Sequence, residues 1–152
     1  MMNKIISLIS LIALCFFVYL SRHEEKAISC RADVSYYWQK SRLDLLITQN
    51  LDDEKGFLSL SGIVYNEDAS KTYLNKTISF SYRKNKEFYY LNSEMIINSP
   101  QMTMSLSDQK KWLPDFFTIT NATLLLKIKP YGENAWLFFA GNNPTFLCER
   151  IH

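Results

Sequence analysis

Two cysteines bracket nearly all of this chain that can fold: Cys30 opens its polar part, and Cys148 stands close to its end. Just before Cys30 runs the one long apolar stretch, Ile5 to Leu20. A pair of thiols this far apart forms and persists as a disulfide only in an oxidising compartment. The apolar stretch supplies the route there. The two features together predict a domain delivered across a membrane and stapled end to end.

As a helix the apolar stretch spans about 24 Å, a little less than the roughly 30 Å hydrocarbon core. Met1, Met2 and a Tyr19 anchor extend its reach. The expected organisation is a cytoplasmic tail over 1–4, a transmembrane signal anchor over 5–21, a juxtamembrane linker over 22–29 and a β domain over 30–152. A cleaved signal peptide is the rival reading, since Lys4 supplies a positive n-region. Between Leu20 and Ala27 the residues are bulky and charged, without the small residues a cleavage site needs. Leu14 before Cys15 likewise lacks the small side chain of a lipoprotein signal. Lys4 on one side is balanced by Arg22 and Lys26 on the other, so flanking charge does not orient the span.

Beyond the linker, period two dominates, the mark of half-buried strands. Cys30, Ala32, Val34 and Tyr36 alternate with Arg31, Asp33 and Ser35. Leu43, Leu45 and Ile47 repeat the pattern, and so do Leu58, Leu60, Gly62 and Val64. Ile78, Phe80 and Tyr82 follow, and Lys84-Asn85-Lys86 closes a hairpin into Phe88–Leu91. Further strands are expected at Met95–Ile97, Thr123–Lys129, Trp136–Ala140 and Thr145–Glu149. Turns are expected at Asn50–Gly56, Asn66–Ser70, Pro130–Asn134 and Gly141–Pro144. Ser107 to Trp112 reads as one helical turn, capped by Ser107 or Asp108 and stopped by Pro114. The fold class is mainly β, about eight short-connected strands in an antiparallel barrel or sandwich. In a closed barrel the first and last strands are neighbours, which brings Cys30 and Cys148 together.

Catalytic chemistry finds few candidates. The two histidines are His23, beside the apolar stretch, and His152 at the end, neither on a strand that would orient it. Asp52-Asp53-Glu54 and Glu67-Asp68 read as solvated turns, and the four glycines are isolated, so no phosphate loop is present. Asn75-Lys76-Thr77 and Asn121-Ala122-Thr123 match the glycosylation tripeptide, which arises often by chance. The reading is non-enzymatic, with no cofactor and no metal. A net charge of +2 without a basic stripe argues against direct nucleic-acid binding. Aromatic residues, at 14%, are in surplus. Tyr82, Phe88, Tyr90, Trp112, Phe116, Trp136 and Phe138 are the candidates for an interface or ligand pocket. The bland alternative is a thick core with some exposed tyrosine.

Several segments carry a family likeness: Leu58-Ser59-Leu60-Ser61-Gly62-Ile63, Ile78-Ser79-Phe80-Ser81-Tyr82, Trp112-Leu113-Pro114-Asp115-Phe116 and Pro144-Thr145-Phe146-Leu147-Cys148. With the N-terminal apolar helix, this layout resembles the FidL-like membrane proteins of enteric bacteria, which are similar to MyfF and PsaF. More distantly it resembles ToxS and VtrC, partners of ToxR-like regulators. The resemblance implies a lipocalin-like β-barrel in the periplasm of a single-pass inner-membrane protein. It implies an accessory role: binding and stabilising a membrane-anchored winged-helix regulator through paired periplasmic domains, with a barrel pocket open to an apolar signal such as a bile salt. The outer strands and the aromatic candidates would then form the interface or pocket. The alternative function is a stand-alone periplasmic protein that binds lipid or another apolar ligand. A third is an envelope assembly protein.

Overall fold

A computed structural model of the chain describes residues 12–16 and 27–151. The elements are β1 (Ile28–Trp38), β2 (Ser41–Asp52), β3 (Lys55–Tyr65), β4 (Lys71–Asn85), β5 (Phe88–Asn98), a helix α1 (Leu106–Trp112), a 3-10 turn (Asp115–Phe117), β6 (Thr123–Tyr131), β7 (Ala135–Ala140) and β8 (Asn143–Arg150). The strands close into an antiparallel barrel in chain order, β1 through β8. Of the two architectures that period two allows, the barrel is the one adopted. Residues 12–16 are helical and exposed. The rest of the expected span over 5–21 lies outside the described residues, as do the tail over 1–4, His23 and His152. Among the described residues no helix is long and apolar enough to cross a membrane. The first strand begins at Ile28 rather than at Cys30.

Alternation places the core. In β2, Leu43, Leu45, Ile47, Gln49 and Leu51 are all buried, and the residues between them are half-buried or exposed. Leu58 and Leu60 on β3 and Ile78, Phe80 and Tyr82 on β4 continue the interior along the next two strands. A side chain at Gly56 would overlap the Phe80 ring, so glycine there lets a large aromatic lie flat against the neighbouring strand. Phe116 reaches into the same cluster from the 3-10 turn, with its ring 5.7 Å from that of Phe80.

Three turns are tighter than the polar runs suggest. Asn50–Gly56 is mostly strand: β2 continues to Asp52 and β3 starts at Lys55, leaving Asp53 and Glu54 as a two-residue hairpin. Both have positive φ, 47° and 60°, as a turn matched to the strand twist requires. The Glu54 carbonyl also accepts the Tyr82 N–H at 2.8 Å, which ties the turn to β4. Pro130 lies within β6, opposite Trp136, and the chain reverses at Gly132. Asn143 and Pro144 already belong to β8, so that turn is Gly141-Asn142. The stretches Phe88–Leu91 and Met95–Ile97 are one strand, β5. Its register jumps from Met95 to Ser93, leaving Glu94 as the extra residue of a bulge.

The helix α1 starts earlier than its polar residues imply. Ser105, not Ser107 or Asp108, is the N-cap, accepting the Asp108 N–H at 3.2 Å. Asp108 completes the exchange by accepting the Ser105 hydroxyl at 2.6 Å. Hydrogen bonds from Lys111 and then Ser105 hold its carboxyl below the usual aspartate range. Leu113 and Pro114 end the helix as expected.

Candidate functional site

The barrel is not equally closed all round. β1 and β2 pair along their full length, from Ile28↔Leu51 to Trp38↔Ser41. The ladder that joins β1 to β8 consists of two residue pairs, Cys30↔Arg150 and Arg31↔Glu149. Cys30 and Cys148 form the expected disulfide at this closure, with Cα atoms 5.4 Å apart and a sequence separation of 118. Beyond it the strands part, and burial on the inward face of β1 decays step by step. Cys30 is 0% exposed and Ala32 3%; Val34 and Tyr36 are half-buried, and Trp38 is 57% exposed. Partial burial still raises the Tyr36 phenol above its ordinary value. A cleft of about 470 Å³ lies at the fork, lined by Arg31, Ala32, Asp33, Leu147, Glu149 and Arg150 among others.

Above the fork β1 and β8 are therefore edge strands facing each other without a mutual ladder. Such edges carry unpaired main-chain groups and invite another strand. Pro144, which has no N–H to give, stands in β8 beside a register shift, where Phe139 pairs with it and Thr145 is passed over.

An apolar stripe crosses the outer face and runs up to this edge. Tyr90 of β5 pairs with Leu125 of β6, and Phe88 with Lys127. Lys127 pairs in turn with Phe139, and Leu137 with Leu147 of β8. Phe88, Tyr90, Leu125 and Leu147 are exposed. The Lys127 ammonium lies 5.6 Å from the Phe88 ring centroid and 5.9 Å from that of Phe139. Glu87 holds Lys127 and Lys129 at 3.6 Å and 3.4 Å.

The seven aromatic candidates thus separate by strand phase. Tyr82, Phe116, Trp136 and Phe138 are buried in the barrel interior, where Phe138 stacks on Phe146 at 4.8 Å. Phe88 and Tyr90 are on the outer stripe. Trp112 is half-buried beside Trp38, lining a pocket of about 550 Å³ between α1 and the β1–β2 hairpin. They do not make a single surface.

Among the described residues, four buried polar side chains escaped the sequence reading. Ser93 is fully buried, and its hydroxyl donates to the Ile119 carbonyl at 2.8 Å and accepts the Ala122 N–H at 3.1 Å. That fixes the loop before β6 against β5. Gln49, 1% exposed, has neither amide atom paired. Lys76, 2% exposed, sits between Leu74 and Ile78 on the inward face of β4. It donates to Gln109 Oε1 of α1 at 2.6 Å. Gln109 Nε2 donates to the Met104 carbonyl at 3.1 Å, so this amide ties α1 both to the barrel and to its own lead-in. Burial pushes the Lys76 ammonium below the usual lysine value.

Among the described residues no group of three His, Cys, Asp or Glu side chains is placed to hold a metal ion. The chemistry on display is main-chain edges, an apolar stripe and one buried cation. A family model described as the YqeJ C-terminal domain matches residues 15–148. No curated protein matches the chain.

Proposed function

We propose, on the premise that the chain belongs to the YqeJ C-terminal domain family, that it is a non-enzymatic accessory protein. In this reading it stands in the periplasm, anchored to the inner membrane, and binds the tail of a membrane-anchored winged-helix transcription regulator. The observation that carries the reading is the parted seam. Two edge strands face each other above a two-pair ladder, and the stripe of Phe88, Tyr90, Leu125 and Leu147 leads to one of them. An extended segment of the partner adds to an edge through main-chain hydrogen bonds and covers Val34, Tyr36 and Trp38. Aromatic and aliphatic contacts on the outer stripe add affinity.

Its effect on the partner is mass action. Binding the folded tail and not its unfolded form lowers unfolding and proteolysis by the factor that free accessory exceeds Kd. A ligand that binds the joined state better than the separate domains shifts the regulator's conformational balance. Co-purification from native membranes tests the reading. Full-length wild-type chain recovers a winged-helix membrane protein, and Leu147→Asp, which leaves the core untouched, loses it. A wild-type preparation without such a protein, from cells producing both, contradicts the proposal.

A further inference from the structure

Lys76 is a cation in the barrel interior with one neutral acceptor, Gln109 Oε1. Among the described residues no carboxylate forms an ion pair with it. An ammonium has three N–H donors, and one of them goes to Gln109. A buried charge without a counter-ion is costly, and proteins seldom keep one that has no task. The same lysine lines an open pocket of about 500 Å³ beside α1. Ile96, Met102, Met104, Leu106 and Ile119 give that pocket apolar walls, and Asn98, Thr118 and Thr120 make the rest of its lining polar. Ser93 fixes one wall through Ile119, and Gln109 fixes the other through Met104.

From this juxtaposition we infer that the α1 end of the barrel binds a small acyl-chain carboxylate, its head on Lys76 and its chain along Met102, Met104 and Ile119. The carboxylate takes the two remaining ammonium donors as charge-assisted hydrogen bonds, to a lysine that is itself 2% exposed. Gln109 stays in place beside it. Thioether and aliphatic walls without a facing aromatic plane suit a flexible chain, because methionine adapts to the shape it meets. The volume falls within the range of ordinary small-molecule sites. The site shares no lining residue with the cleft at the β1–β8 fork and does not depend on the partner reading: a barrel that recruits no regulator would still bind the acid.

The test compares octanoate with octan-1-ol on the full-length chain in maltoside micelles, reading the thermal midpoint. Octanoate at tenfold excess over its Kd raises the midpoint by about 5 °C, and octanol at equal concentration raises it far less. Lys76→Met abolishes the octanoate increment and leaves the octanol response as it was. Should Lys76→Met fail to fold, Leu106→Trp, at an exposed rim position, blocks the pocket with Lys76 in place and also removes the increment. Equal responses to acid and alcohol in the wild type overturn the proposal. So does an octanoate increment that survives in whichever of the two variants folds.

Discussion

The two halves of the barrel are built to different standards. From β1 to β4 the strands are long and paired throughout: β2 meets β3 from Arg42↔Tyr65 to Asp52↔Lys55, and β3 meets β4 from Lys55↔Ser81 to Tyr65↔Lys71. From β5 onward the ladders shorten. β5 meets β6 only from Phe88↔Lys127 to Asn92↔Thr123, and β8 returns to β1 through two pairs. The first half is a scaffold held by its own main chain. The second relies on other devices: the disulfide, the Phe138–Phe146 stack, and the segment carrying α1, which ties back to β4 of the first half through Gln109 and Phe116. Thin ladders leave edges, and edges are where this molecule has surface to offer.

The largest expected effect comes from removing the staple. Cys148→Ser should cost about 4–5 kcal/mol on the loop-closure account, read as a fall in denaturation midpoint. Amide exchange in the variant should quicken in β1 and β8 before it does in β2 and β3; equal quickening everywhere breaks the comparison of halves. Phe138→Ala removes a fully buried ring from the thinner half and should cost about 3–5 kcal/mol.

Gln49→Leu should act in the opposite direction. It replaces an unpaired buried amide by an apolar group and is expected to gain about 1–2 kcal/mol, seen as a raised midpoint. Ser105→Ala removes the α1 cap and should cost about 1 kcal/mol, confined to the α1 segment when followed by exchange.

The smallest effect is a pH dependence. The folded Lys76 value lies below the ordinary lysine value of 10.5, so the unfolded chain binds more protons in between. Stability contributed by this group therefore rises as pH climbs from the folded value towards the ordinary one. Comparing wild type with Lys76→Met over that window sharpens the picture of the α1 end. A wild-type chain showing no rise beyond that of the variant means an ammonium that is effectively solvated.

Much of the scaffold was legible because one rule, period two, decides it. Leu43 to Leu51 and Ile78 to Tyr82 show their inward faces directly, and the paired cysteines marked where the ends meet. The same rule, pursued further, sorts the aromatic candidates. Phe88 and Tyr90 share a phase opposite to buried Tyr89 and Leu91. It also flags Lys76, in phase with Leu74 and Ile78, and Gln49, in phase with Ile47 and Leu51. Reading polarity as exposure hides both, and the alternation at Ile78, Phe80 and Tyr82 shows clearly only after the lysine. The helix cap was ambiguous for a different reason. Ser105, Ser107 and Asp108 are all competent, and the choice depends on how Gln109, the buried residue of the helix, docks on Lys76 and the Met104 carbonyl, a tertiary matter. The parted seam has no signature in sequence at all, since the residues of β1 alternate properly along its whole length.

The central claim, that β1 and β8 offer open edges for a partner, is tested most directly by amide exchange on the full-length, disulfide-intact chain. The amides of Ala32–Trp38 that point away from β2 should exchange fast in the chain alone, while those of β3 stay protected. Adding the regulator's periplasmic tail should slow them. Edge amides that are already protected in the chain alone, or that the tail leaves unchanged, contradict the account.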